Sequence, residues 1–269
     1  RTQTYNLKMN LVSIIMTCLN GEKYLDQAVS SVINQTYKNW EIIFVDNNSS
    51  DNSKNIILSY DDKRIKYFKL DNSINLGSVR NFAINQCKGE YISFLDVDDI
   101  WSKFKLEKQI NKFLNNKEID VLYTNYYELK NNSKKKIIKS LHKGNCKDKI
   151  ILSYIKNLPL TAWVTLMIKK NTLDKLDYFF DKNLHITSDF DFIIRLSDFS
   201  YFDYLDDYLC DYRVHDDNES KNSDKTIFEL YYLIKKYKKN YSVNKIFSLN
   251  FYAQKVLIKN FLYKINLFR

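Results

Sequence analysis

The segment LVSIIMTCLNGEKYLDQAVSSVINQTYKNWEIIFVD, residues 11–46, switches periodicity twice. LVSIIMT (11–17) is a short apolar run bounded by polar residues, the pattern of a strand buried on both faces. EKYLDQAVSSVINQT then places Leu25, Val29, Val32 and Ile33 at helical spacing, forming one apolar stripe. WEIIFVD (40–46) returns to the strand pattern. A strand, a covering helix and a second strand in this span predict a parallel pair joined by a crossover helix.

The alternation continues outward. Helical spacing recurs over about Ser50–Ser59, VRNFAINQC (79–87) and KFKLEKQINKFL (103–114), with strands at IKYFKL (65–70) and YISFLDV (91–97). The fold class expected is α/β, a mainly parallel sheet flanked by helices with a helical C-terminal extension. Ligands in such sheets sit beyond the carboxyl ends of the strands. Polar residues collect at three of those ends: Thr17–Glu22, Asp46–Asp51 and Asp96–Asp99. The second half is less regular. It predicts strands at DVLYTNYYEL (120–129) and AWVTLMIKK (162–170), and helices at KIILSYIKNL (149–158), before the only proline, and DFDFIIRLS (189–197).

With 269 residues the chain can bury a sizeable core, and it contains no apolar run long enough to cross a bilayer. Residues 1–8 are set aside as a lead-in without a signal-sequence pattern. Cys18, Cys87, Cys146 and Cys210 are scattered without paired spacing, which fits reduced thiols in a cytoplasmic protein better than disulfides or zinc. His142, His185 and His215 form no local cluster either. The formal net charge is +10, but from Ser220 onward eleven Lys and Arg face two acids, so the excess lies in the tail. No internal repeat or Gly/Pro linker marks a boundary; the change near residue 220 is one of composition.

SFLDVDD (93–99) ends an apolar strand in three carboxylates. On an extended chain Asp96 and Asp98 point to the same side, an arrangement that calls for a cation. Carboxylates in such a pair suit Mg²⁺ or Mn²⁺ held against a diphosphate. A helix cap near Trp101 would need only one of the aspartates, Asp98 or Asp99. In VDNNSSD (45–51) the residues are turn formers, while Asp46 and Asn47 have the acceptors to meet a nucleobase N–H. In NLGSVRN (75–81), Arg80 is either a surface ion pair or a partner for phosphate or carboxylate.

In order, VSIIMTCLNGEKYLDQAVSSVINQT, VDNNSSDNS, NLGSVRN, GEYI and FLDVDD resemble the family-2 glycosyltransferases of the GT-A fold, in their bacterial surface-glycan type. The resemblance extends through SDFDFIIRL and YRVH, covering residues 11 to about 220. It implies a transferase domain over 9–220, with a nucleotide-sugar-binding half (9–100) and an acceptor and catalytic half (101–220). A basic helical extension (221–269) would follow.

The resemblance also implies roles. Thr17, Leu19, Glu22, Asp46, Asn47, Arg80, Asp96 and Asp98 would bind the nucleotide sugar. Asp98, with Asp96 and His215, would hold Mn²⁺ or Mg²⁺, Asp99 supporting. Asp189 would be the catalytic base, with Asp191 its competitor, and Trp163, Asp191, Arg213 and Asp99 would lie on the acceptor or diphosphate side. Four positions depart from the family pattern. Thr17 replaces proline, Leu19 an aromatic that stacks on the base, Asn47 an acid that reads uracil, and Ser188 a glutamate before the base.

The implied reaction is direct displacement with inversion. A divalent cation would stabilise the diphosphate leaving group and a carboxylate would take the acceptor proton. A UDP-sugar donor and a saccharide or lipid-linked acceptor in surface-glycan synthesis are expected. The tail interleaves Lys235, Lys236, Lys238 and Lys239 with Tyr231, Tyr232, Tyr237 and Tyr241, which suits either helix packing or docking on an anionic membrane at the inner face. Nucleic acid is not expected, because the best-organised motifs are acidic. A binding module without turnover is disfavoured by Asp96, Asp98 and Asp189 together. A nucleotidyltransferase is disfavoured by a chain with four glycines and no phosphate loop.

Overall fold

A computed structural model describes residues 10–137, 143–145, 162–216, 218 and 223–237. β1 (Val12–Cys18) is buried almost throughout, with β2 (Trp40–Asp46) and β4 (Tyr91–Phe94) parallel to it on either side. α1 (Glu22–Ile33) joins β1 to β2, α2 (Ser53–Ser59) leads to β3 (Ile65–Lys69), and α3 (Leu76–Gln86) leads to β4. Then come β5 (Ile100–Trp101), α4 (Lys105–Asn115), β6 (Val121–Lys130), β7 (Ser133–Ile137) and β8 (Met167–Lys169). The single turn α5 (Lys170–Leu173), α6 (Ser188–Leu196), β9 (Phe202–Arg213) and α7 (Ser223–Tyr237) complete the described elements.

One sheet runs β3-β2-β1-β4-β8-β6-β9-β5, with β7 beside β6. Its β3-β2-β1-β4 part is parallel, as the alternation predicts. Beyond β4 it is mixed: β8 is antiparallel to β4 and β6, while β9 is parallel to β6. The two halves expected from the sequence therefore share a single sheet.

The pleat divides the core. Ile42 and Phe44 of β2 pack with Leu25, Val29 and Val32 of α1, and Ile43 and Val45 pack on the other face with Val79, Ala83 and Ile84 of α3. At roughly 1.5–3 kcal/mol for each large apolar side chain buried, these two layers supply the main drive to fold. They also fix which strand ends face one rim.

Several expectations change. The strand expected over 91–97 stops at Phe94, and residues 97 and 98 form a turn closed by Asp99 N–H donating to Asp96 O at 3.1 Å. Asp96 and Asp98 are thus brought together by a turn and not by strand alternation. Asp99 caps no helix, because β5 follows it and α4 begins only at Lys105, after Phe104. α2 begins at Ser53, since the residues before it form the turn. The span 162–170 is a 3₁₀ turn (Trp163–Thr165) followed by the short β8. β9 goes unread in the sequence because its four aspartates break the apolar pattern of a half-exposed strand. The helix expected at 149–158 and the tail beyond residue 237 lie outside the described residues.

Gly89 closes the turn into β4. Its N–H donates to Ser13 Oγ at 2.8 Å, Ser13 Oγ donates to Glu41 Oε1 at 2.7 Å, and the Lys88 amide donates to the same carboxylate at 2.8 Å. A Cβ there would stand 2.6 Å from Leu11 O and Ser13 N, which are backbone atoms of the central strand and its approach. Gly89→Ala is therefore expected to lose roughly 2–4 kcal/mol of stability in urea unfolding, by forced overpacking.

Candidate active site

The chain order of the parallel strands reverses between β1 and β4, and a cleft of about 730 Å³ opens at their carboxyl ends. Two left-handed residues shape the first strand ends: Asn20 at φ 56° and Asn48 at φ 66°, a conformation asparagine tolerates. The turns after β1 and β2 then lace together. Asn20 Oδ1 accepts from Ser50 N at 2.9 Å, Glu22 N donates to Asp51 Oδ2 at 2.9 Å, and Glu22 Oε2 accepts from Asn52 N at 2.8 Å. This uses Glu22 structurally and leaves it outside the cleft lining, while Thr17 and Leu19 line it.

At the end of β2 the two candidate base contacts separate. Asp46 is buried, accepting from Ser49 N at 2.7 Å and from Tyr67 O–H at 2.8 Å, and it does not line the cleft. Asn47 does line it. Its amide donates to Ile74 O at 2.8 Å and its carbonyl accepts from Ile74 N at 2.9 Å, so it holds the approach to α3 in place.

Three carboxylates converge on the cleft: Asp96 and Asp98 from the turn after β4, and Asp189 from the first turn of α6. Arg80 sits among them, only 5% exposed, its guanidinium 4.7 Å from the Trp163 ring centre and 5.6 Å from that of Phe180. Its Nη2 stands 3.4 Å from Asp96 Oδ1. Burial pushes the Asp96 carboxyl above the ordinary aspartate range, Arg80 counters it, and Asp98 and Asp189 add to the rise. Burial likewise raises Asp189, again countered by Arg80. One guanidinium thus serves two carboxylates.

His215 joins from the segment after β9. Its Nε2 lies 2.9 Å from Asp98 Oδ2, and its ring centre is 5.1 Å from that of Tyr24. Asn218 Nδ2 approaches the same Asp98 oxygen at 3.4 Å. The oxygens of Asp96 and Asp98 with the His215 imidazole are donors suited to Mg²⁺ or Mn²⁺. Among the described residues no group of three or more His, Cys, Asp or Glu could by itself hold a metal ion.

Three of the expected residues stand behind the cleft. Asp191 is fully buried, accepting from Arg195 Nε at 2.9 Å, Lys236 Nζ at 2.6 Å and Tyr237 O–H at 2.6 Å. Arg213 donates from Nε to Asp98 O at 2.7 Å and from Nη2 to Gln27 Oε1 at 2.7 Å. Asp99 is buried and accepts the Arg213 amide at 2.8 Å. Trp163 lines the cleft beneath Arg80.

The lining also includes Lys23, Tyr24, His185 and Asn218, which the sequence reading passed over. Spacing holds a signal for two of them: His185 precedes Asp189 by one helical turn, and Asn218 lies three residues after His215.

The sequence matches the family described as Glycosyl transferase family 2 over residues 13–177. An uncharacterized glycosyltransferase of Methanocaldococcus jannaschii is 35% identical over 252 residues, spanning 91% of this chain and 84% of that protein. The UDP-Glc:alpha-D-GlcNAc-diphosphoundecaprenol beta-1,3-glucosyltransferase WfgD of Escherichia coli is 43% identical over 123 residues, 46% of this chain and 48% of its own length. Among solved structures, the mannosyltransferase PcManGT of Pyrobaculum calidifontis, in complex with GDP-Man and Mn²⁺, shares the fold. Its TM-score is 0.65 at 14% identity, covering 93% of this chain and 70% of that one.

Asp99 yields a test of the local electrostatics. Burial raises its carboxyl well above the ordinary range, and Asp98 and Asp96 add to the rise. A group whose folded pKa is raised contributes stability that is fully present below its unfolded pKa and is lost as pH climbs through the folded value. Asp99→Asn keeps the oxygen that accepts from Arg213 and removes the ionisation. Its melting temperature relative to the parent is therefore expected to climb as pH rises above the ordinary aspartate range, because only the parent must ionise a buried carboxyl there.

Proposed function

Because the chain belongs to glycosyl transferase family 2 and has the GT-A fold, we propose that it transfers a sugar, with inversion, from a UDP-sugar to a saccharide or lipid-linked acceptor hydroxyl. The observation carrying this reading is the convergence of Asp96, Asp98 and Asp189 on one cleft where β1 and β4 end. The donor class is supported by the Escherichia coli relative, which uses UDP-Glc and a lipid diphosphate acceptor. In this reading residues 9–220 form the transferase domain, α7 packs on it through Tyr232, Lys236 and Tyr237 instead of offering them to a membrane, and the basic sequence after residue 237 is the segment that meets an anionic membrane.

The nucleoside end of the donor lies along Thr17, Leu19 and Asn47, and the diphosphate lies at Asp96 and Asp98. These two aspartates, with His215, hold Mg²⁺ or Mn²⁺, a choice supported by the Mn²⁺ in the archaeal fold neighbour. An ion held by these residues would supply Lewis-acid stabilisation of the leaving diphosphate. Asp189 accepts the proton of the acceptor hydroxyl as it attacks the anomeric carbon. Its raised proton affinity suits a base, because a stronger base removes more of that proton in the transition state. Arg80 counters the effect of burial on Asp189 and Asp96, and Trp163 holds Arg80 in position. A single base suffices for direct displacement, whereas a covalent intermediate would need a second carboxylate as nucleophile.

Thermal-shift screening of UDP-glucose, UDP-N-acetylglucosamine and other UDP-sugars with Mn²⁺ is expected to give stabilisation that EDTA abolishes. Asp98→Ala should lose that response. Asp189→Asn should keep it while kcat for transfer to a GlcNAc-diphospholipid falls by about 10²–10⁴-fold, the range for a lost general base. Full transfer by Asp189→Asn would remove the assignment of the base.

A further inference from the structure

α7 and the segment that carries Asp189 both follow the span matched by the family, and α7 grips that segment at three levels. Tyr232 O–H and Lys236 Nζ donate to Asp181 Oδ2 at 3.0 and 2.7 Å. Lys236 Nζ and Tyr237 O–H donate to Asp191 Oδ1, each at 2.6 Å. Between these two contacts, Glu229 turns inward at 3% exposure. Its Oε1 accepts from His185 N at 3.0 Å, and its Oε2 accepts from Thr187 N at 2.8 Å and from Thr187 Oγ1 at 3.0 Å.

Thr187 is the residue at the N-cap of α6, but its side chain makes no cap bond to that helix. Its hydroxyl and amide are given to Glu229 instead. The turn is tied on its other side too: His185 Nδ1 accepts from Leu76 N at 3.2 Å, at the start of the helix that carries Arg80. Glu229 is thus a buried acceptor with three donors from the two residues that set where α6 begins, two positions before Asp189. A buried carboxylate is costly unless it is hydrogen-bonded, and its partners here are backbone and side-chain groups of that one turn.

We propose that Glu229 is a positioning residue for transfer: it fixes the His185–Thr187 turn and so sets where the Asp189 carboxylate stands relative to the acceptor hydroxyl. This rests on Asp189 being the base. Glu229 touches neither the cleft nor the reacting atoms, so its loss acts on the chemical step and spares donor binding. Misplacing a catalytic group by about 1 Å costs on the order of 10²-fold in rate. Glu229→Gln keeps one carbonyl acceptor and gives up the second, so it has an intermediate effect.

The test uses the full chain and Glu229→Ala, Glu229→Gln, Asp189→Asn and Glu229→Ala/Asp189→Asn. Amide hydrogen exchange, UDP binding with Mn²⁺ and transfer from UDP-glucose and UDP-N-acetylglucosamine to a GlcNAc-diphospholipid are measured. In Glu229→Ala the His185 and Thr187 amides should exchange at least about tenfold faster, with β1 and β4 unchanged. UDP affinity and donor KM should stay within about twofold while kcat falls about 10- to 100-fold, with Glu229→Gln in between. In the Asp189→Asn background the alanine substitution should cost less than about twofold more, as expected of two residues acting through one step.

If Glu229→Ala does not fold, Glu229→Gln carries the same readouts. Unchanged exchange at His185 and Thr187, or a kcat within about threefold of the parent, overturns the proposal. So does a donor KM that rises as far as kcat falls. An inert Asp189→Asn beside an active Glu229→Ala removes Glu229 alone and leaves the base assigned. An active Asp189→Asn removes the base and this proposal with it.

Discussion

The buried guanidinium of Arg80 is the constraint around which the rest of the cleft is arranged. A cation at 5% exposure is tolerable only with anionic partners or aromatic faces close by. The fold supplies both. Asp96 meets it from the turn after β4, Asp189 acts on it electrostatically from α6, and the rings of Trp163 and Phe180 lie beneath it. Those rings belong to a packed cluster with Phe94 and Phe192, in which Phe180 and Phe192 stack at 4.6 Å. Three parts of the chain distant in sequence are therefore held in register by one side chain. The Asp96 side chain is 36% exposed, so solvent screens its side of the pair, and the enclosing rings carry much of the burden of holding Arg80 in place.

The sheet explains why such a meeting is possible. Parallel β1, β2 and β4 send their carboxyl ends to one rim, and the reversal of order beside β1 opens a crevice there. The mixed half then brings β9 back along β6, ending at Arg213, next to the turn after β4. The mixed part is therefore what returns His215 to Asp98. Without β9 the parallel half would have the strand ends of a nucleotide site but no imidazole beside its acidic turn.

Much of this is legible in the sequence where one periodicity dominates. Residues 11–46 announce their strand–helix–strand course because the apolar positions alternate cleanly, and the structure follows it. β9 is hidden because a strand lying partly at the surface can carry aspartates, which erase the apolar signal. In the site, Asp96, Asp98, Asp189, Arg80 and His215 are visible as motifs and do meet. Glu22, Asp46, Asp99, Asp191 and Arg213 are equally visible but face inward or toward neighbouring turns. Residue type and spacing report that a carboxylate is present; only the packing of other elements decides which side its oxygens face.

Asp99 and Asp191 show how such packing sorts neighbouring carboxylates. Each lies one or two residues from a cleft aspartate, and each is removed from the cleft by donors from a later element. For Asp99 the donor is the Arg213 amide on β9, and for Asp191 the donors are Lys236 and Tyr237 on α7. Acidic residues cluster in both motifs, but only part of each cluster faces the ligand space. The remainder anchors the strand or helix that closes over it. An acidic motif of this kind is therefore read most safely in two parts: the oxygens left to the cleft, and those already committed to holding its walls.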